Sequence, residues 1–318
     1  KAAFVLHSLE AQCTSSGGER GTVAFAKAMG SLLVLPPAHL ERRIVGGHGL
    51  IAACASGCAA SADLDGFESM WVRQALPCPT LKANFQYVRR KYVVELVLVL
   101  PPRDASALTG PLRVSWGEAA NSEDGAYVQE EVLTLTNEHM QMHELTVDAR
   151  RRRGGKRRKS GGGDMKEEAM VEEAYNETAA VPLLWLRVDP SLEWACRVAW
   201  SGRPREPLWS GMPEGMVRDQ LQLDRCVASQ LDAVAALTTF PTLTAINTLE
   251  VALRDDEVFY RVRAAAAAAL CALVAPATNY EALHRLVKYA RERLYDNGAV
   301  RPNDFTELGE YFVTKAVI

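Results

Sequence analysis

Two histidines four residues apart, His139 and His143 in "HMQMH", have the type and spacing that could hold zinc on one face of a helix. The residues around them alternate as a strand does, and no cysteine lies nearby. The pair therefore reads as surface histidines. Cys54 and Cys58 also stand four apart, among small residues, and fit buried thiols better than a metal site. The remaining catalytic patterns are missing. The sequence contains no His-Glu-x-x-His, no G-x-x-x-x-G-K-S/T, no G-x-S-x-G and no Cys-x-x-Cys. "GGKRRKS" has the lysine of a phosphate loop without its spacing. No catalytic residue, metal ligand or cofactor is expected from these residues.

The strongest chemical signal is charge. Arg150, Arg151, Arg152, Arg153, Lys156, Arg157, Arg158 and Lys159 place eight cations in ten residues, split by Gly154-Gly155. Such a run cannot bury enough apolar surface to fold, so a disordered loop is expected at about 148–180. Three readings follow. It can dock extended on a nuclear import receptor, it can neutralise nucleic-acid phosphates in a salt-sensitive way, or it can be a solvated linker. Two basic clusters separated by Gly-Gly favour the first.

A second signal is "DDEVFYRVRAAAAAALCALV", Asp255–Val274, with alanines from Ala264 to Ala269. Alanine has the best helix propensity, and its methyl group lets helix axes approach. The pattern of an Asp turn, a Val-Arg pair, alanines and leucines resembles the second helix of a HEAT repeat, where each helix packs on both sides. Asp256, Tyr260, Val262 and Arg263 carry that motif, and Arg263 is placed to pair with Asp255 or Asp256. Asp255-Asp256 can cap the helix or end the loop before it. Compositional drift in an alanine-rich chain is the competing explanation.

The elements that must position these features fall into three regions. Residues 1–79 read as helical: "KAAFVLHSLEAQ", "GTVAFAKAMGSLLVL" and "FESMWVRQAL" have helical spacing and end at Pro36-Pro37 or at Pro77 and Pro79. Residues 80–200 switch to period two. Tyr92, Val94, Leu96 and Leu98 are expected to face one way, Arg90-Lys91 to turn the chain, and "VPLLWLRVDP" to form a last, heavily buried strand. Successive antiparallel strands imply a β-sandwich. Residues 201–318 are helical again, in five helices: "MVRDQLQLDRCVASQLDAVAAL", a second starting at Pro241, the alanine helix third, then "NYEALHRLVKYARERLY" and "NDFTELGEYFVTKAVI". The fold class is α+β multidomain: helical segment, β-sandwich, then an α-helical HEAT-like repeat domain.

Composition is that of a globular chain. Of 318 residues, 48% are hydrophobic and 24% charged, and the net charge of -3 confines any attraction to polyanions to local patches. "YVVELVLVLPP" is too short to span a bilayer and carries Glu95, so no membrane association is expected. Seven scattered cysteines suggest reduced thiols. The chain begins at Lys1 and reads as a piece of a longer protein.

Specific stretches carry a resemblance. "FESMWVRQALPCPTLKANFQY", with Trp71, Gln74 and Pro79, resembles the close of the catalytic domain of gluzincin aminopeptidases, with Ala75 and Leu76 where that family usually has Gly. "RRKYVVELVLV" is similar to the first hairpin of the small sandwich that follows. "VPLLWLRVDP", "DRCVASQLDAVAAL", "FPT" and "FYRVRAAAAAAL" resemble the TFIID subunit 2 family, which is built on an aminopeptidase-like scaffold. The basic loop falls where that family carries one, and Asn303, Phe305, Tyr311, Phe312 and Lys315 approximate its closing segment. "SGMPEG" and the long alanine run depart from it. The resemblance implies a nuclear, non-catalytic scaffold subunit of the general transcription factor TFIID. It would act near initiator DNA of the core promoter in RNA polymerase II preinitiation complex assembly. Its partners would be TBP and other TBP-associated factors, the histone-fold factor 8 among them. The alternative is the C-terminal part of an active zinc aminopeptidase.

Overall fold

A computed structural model describes residues 6–11, 13, 23, 25–30, 47–55, 64–73, 79–88, 90–100, 109–119, 126–147, 183–194, 196–200, 212–296 and 298–318. The chain is α+β and divides into two compact units. One comprises Lys1–Ser115, Glu130–Thr146 and Arg187–Gly211; the other comprises Trp116–Gln129, Val147–Leu186 and Met212–Ile318. The basic run 150–159, the acidic stretch after it, Gln74 and Cys58 lie outside the described residues.

The first unit opens with helix. Residues 6–11 and 25–30 are helical, followed by α1 (Gly47–Ala55), α2 (Leu64–Phe67) and a π-helical turn at Glu68–Arg73. Cys54 is buried in α1. A four-stranded sheet follows in the order β5-β2-β1-β7, built from β1 (Thr80–Val88), β2 (Val93–Val99), β5 (Met140–Thr146) and β7 (Arg197–Trp200). Period two is why it forms: Val94, Leu96 and Leu98 are buried along one face of β2, with Leu81 and Ala83 of β1 and Leu145 of β5 buried likewise. The β1–β2 hairpin turns where Arg90-Lys91 stand, with Val88 opposite Val93. Tyr92 does not join the apolar row as expected. It sits in the turn at φ 57, an uncommon left-handed position for a bulky residue, and is exposed.

One expectation about the order of the strands is corrected. β6 (Leu183–Val188) is heavily buried, but it is not the last strand. β7 follows it and pairs in parallel with β1, Leu81 opposite Val198. β6 belongs to a three-stranded sheet of order β4-β3-β6 with β3 (Gly110–Ala119) and β4 (Ala126–Leu135). Of the two histidines, His139 is exposed as expected and His143 is not. His143 shares the inward face of β5 with Gln141 and Leu145, and burial pushes its imidazole pKa down, favouring the neutral ring. His139 hydrogen-bonds through Nδ1 to the Leu100 carbonyl.

The corner after β6 is fixed by Asp189, buried and itself at φ 54. Its two carboxylate oxygens accept the backbone N–H groups of Glu193 (2.8 Å) and Trp194 (3.0 Å). Trp194 Nε1 then donates to the Pro111 carbonyl at 2.8 Å, and Arg113 Nε donates to Glu193 at 3.1 Å. Burial raises the Asp189 carboxyl to about 6 against the opposing pull of those two N–H donors.

In the second unit the helices are α3 (Glu214–Leu223), α4 (Val227–Leu237), α5 (Leu243–Arg254), α6 (Tyr260–Ala272), α7 (Glu281–Leu294) and α8 (Leu308–Val317). The stretch expected as one helix, "MVRDQLQLDRCVASQLDAVAAL", is two. Asp224 leaves the helical region and accepts from the Cys226 N–H at 2.9 Å, a local turn that competes with the helix ladder. Pro241 stands just outside α5, whose N-cap is Thr242 with its hydroxyl accepting from Ala245 N. The alanine helix α6 is thus fourth, not third. It packs against α4, α5, α7 and α8. Ala266, Ala267 and Ala269 are buried while Ala268 is exposed.

Candidate functional site

The motif residues converge at the start of α6. Asp256 lies in the turn after α5, Tyr260 opens α6, and Val262 and Arg263 point inward. Asp255 and Asp256 do not cap α6. Asp255 ends α5 and accepts from the Glu257 N–H, while Phe259 is the N-cap of α6 and makes no side-chain cap bond.

Arg263 is 2% exposed, a fully buried charge that requires partners. It has three. Nε donates to the Leu253 carbonyl at 3.1 Å, at the end of α5. Nη1 and Nη2 fork onto the carboxylate of Glu310 in α8, with Nη2 to Oε2 at 3.2 Å. Nη2 also lies 3.0 Å from Asp256. Burial opposes the charge, but Glu310, supported by Tyr289, more than offsets it, and the guanidinium pKa rises. One side chain thereby ties the α5–α6 turn, α6 and α8. Arginine does this and lysine does not, because the planar fork serves a carboxylate and a carbonyl at once.

A second chain of charges continues the seam. Arg285 of α7 bridges Glu281 (2.8 Å) and Glu250 of α5 (2.7 Å). Glu250 also accepts from Arg254 at 2.8 Å, and Arg254 reaches Glu292 of α7 at 2.7 Å. The hydrogen bond and charge of Arg254 pull the Glu292 carboxyl pKa down. Arg293 closes the loop by binding both oxygens of Asp256, at 3.0 and 3.2 Å. The buried Tyr289 ring lies beneath Arg254 (5.5 Å) and Arg293 (6.0 Å). Tyr260 stacks on Phe312 of α8 with ring centroids 5.9 Å apart. A Cβ placed on Gly309 would stand 3.3 Å from Tyr260 Cβ, so α8 comes close there.

This arrangement holds helices in register; it presents no reactive constellation. Among the described residues no three His, Cys, Asp or Glu side chains gather as metal ligands. Nor, among the described residues, is any helix long and apolar enough to cross a membrane. Sequence reading missed Glu310, Tyr289 and the Glu250–Arg285 bridge, because each partner comes from a different helix. An i, i+4 spacing was visible in Glu250/Arg254 and Glu281/Arg285.

Comparison with known proteins covers both units. Residues 77–203 match the family description "TAF2 Ig-like domain", and residues 215–318 match "TAF2-like, TPR repeats". Tetratricopeptide and HEAT repeats are both stacks of helix pairs. The chain is 28% identical over 158 residues to transcription initiation factor TFIID subunit 2 of Schizosaccharomyces pombe, covering 48% of this chain and 12% of that protein. It is also 28% identical over 140 residues to the Danio rerio protein of the same name, covering 43% of this chain and 11% of that protein. The chain therefore spans about a tenth of the length of these relatives. Legionella pneumophila aminopeptidase A, solved with aspartic acid, superposes with a TM-score of 0.59 at 9% identity, over 99% of this chain and 34% of that one. At that identity the likeness is one of fold.

Proposed function

Because the chain belongs to the TFIID subunit 2 family, we propose that it is part of a non-catalytic scaffold subunit of TFIID, working in the nucleus in core-promoter recognition and preinitiation complex assembly. The observation that carries this reading is that two descriptions of one family tile residues 77–203 and 215–318. The physical character of the second unit agrees with it. A seam of interlocked ion pairs and small-residue contacts makes a stiff array of helices, suited to presenting surfaces to other subunits. TBP, other TBP-associated factors such as the histone-fold factor 8, and initiator DNA are the partners proposed for the whole protein. The basic run Arg150–Lys159 is proposed to engage a nuclear import receptor.

Two experiments test these claims. Depleting the full-length protein from nuclear extract should abolish initiator-dependent transcription, and adding it back should restore it; transcription that survives depletion would refute the role. Replacing the eight basic residues with Gln and Ser should shift a fluorescent fusion to the cytoplasm. Unchanged nuclear accumulation would remove the import role from this run.

A further inference from the structure

Helix α7 is amphipathic twice over. Its inner face buries Ala282, Leu286 and Tyr289, and it packs against α5, α6 and α8. Arg285 and Arg293, beside that face, are used up by Glu250, Glu281 and Asp256. The outward face has its own order. Leu283, Val287, Ala290 and Leu294 recur at steps of four, three and four, the spacing of one coiled-coil seam. Leu283 is 43% and Val287 40% exposed, large for apolar residues on one stripe, and Ala290 and Leu294 are half-buried. His284 and Arg291, seven residues apart, flank the seam on one side with Lys288 beside them, and all three are exposed. Lys288 and Arg291 make no ion pair among the described residues, and the His284 ring only approaches Glu281, at 4.0 Å.

We propose that this outward face of α7 is a docking seam for an acidic amphipathic helix of a partner polypeptide. Leu283 and Val287 supply the apolar contact on successive turns. The cations at the flank select a helix whose own flanking positions are Asp or Glu. A nucleic-acid backbone would use the cations but gain nothing from Leu283 and Val287. A second copy of the same face would set like charges against each other. The proposal rests on the reading of this protein as a subunit of a larger assembly.

The test uses the full-length protein in its native nuclear complex, with a photo-crosslinking amino acid at Val287 and, separately, at Leu283. The expected adduct is a peptide from another polypeptide with apolar residues at three-four spacing flanked by carboxylates. A Val287→Asp/Lys288→Glu/Arg291→Glu variant should then retain that polypeptide at least about tenfold less well. Its melting temperature should fall only slightly, because all three side chains are exposed and the charge changes touch only the attraction of Lys288 for Glu292 and the last turn of the helix. Adducts only to the protein's own chain, to a second copy or to DNA, no adduct at all, or undiminished retention by the variant would each overturn the proposal. If the protein still co-purifies with TBP and its associated factors in such a case, only the surface assignment falls. If it does not, the scaffold reading falls with it.

Discussion

The alanine helix allows a graded test. α6 contacts four helices, and Ala267 is 0% exposed. Replacing it with leucine adds three carbons at a position with no exposed surface. Overpacking of this kind costs about 1–3 kcal/mol, and a fully buried position on a helix that packs against four others belongs at the upper end. Ala268, one residue on, is exposed. There leucine costs only the small difference in helix propensity, a few tenths of a kcal/mol at most. Ala267→Leu should therefore be about 2–3 kcal/mol less stable than Ala268→Leu, which for a unit of this size is about 5–10 °C in Tm. Ala266→Leu and Ala269→Leu should follow Ala267→Leu. Thermal and urea unfolding followed by far-ultraviolet circular dichroism would measure the series. Equal stabilities at buried and exposed positions would refute the packing argument and return the alanines to compositional drift.

Three other outcomes are expected. Arg263→Ala should cost about 2–4 kcal/mol, somewhat below a fully buried pair because Asp256 and Glu310 are partly solvated; a double-mutant cycle with Glu310→Gln should give about 1–2 kcal/mol of coupling, and a coupling indistinguishable from zero would remove the clamp. Asp189 titrates at about 6 folded against 3.8 in the reference state, so the stability gained from its protonated form is complete below about pH 3.8 and is lost as pH rises through 6. That is on the order of 3 kcal/mol, and a difference in unfolding free energy between wild type and Asp189→Asn that stays flat from pH 4 to 7 would contradict it. Gly117→Ala sets a Cβ 2.6 Å from three ring carbons of the buried Trp185 and should cost about 1–3 kcal/mol or more, falling close to nothing in a Trp185→Leu background; equal cost in both backgrounds would place the strain elsewhere.

Much of this fold is legible locally. The change from helical to alternating spacing after Thr80 is plainest in β2, where period two in "KYVVELVLVL" sets Val94, Leu96 and Leu98 on one buried face. Arg263 stands out as an arginine set between a turn carboxylate and an alanine helix. What escaped detection was encoded in few atoms or at long range. The apolar positions Leu221, Val227, Leu231, Val234 and Leu237 continue across Asp224, so the periodicity hides a break made by one carboxylate oxygen. β7 is four residues of half-buried and exposed side chains, and only its parallel pairing with β1 makes it a strand. Glu310 meets Arg263 across 47 positions of sequence, and no spacing rule reaches that far. His143 turned inward because the β5 register set Gln141, His143 and Leu145 on one face.

The most direct test of the scaffold account is affinity purification of the full-length protein from nuclear extract, followed by mass spectrometry and a peptide-hydrolysis assay on the same fraction. The account predicts TBP and several histone-fold TBP-associated factors in stoichiometric amounts, with no hydrolysis. Their absence from a fraction that cleaves peptides would contradict it and identify the protein as a working aminopeptidase.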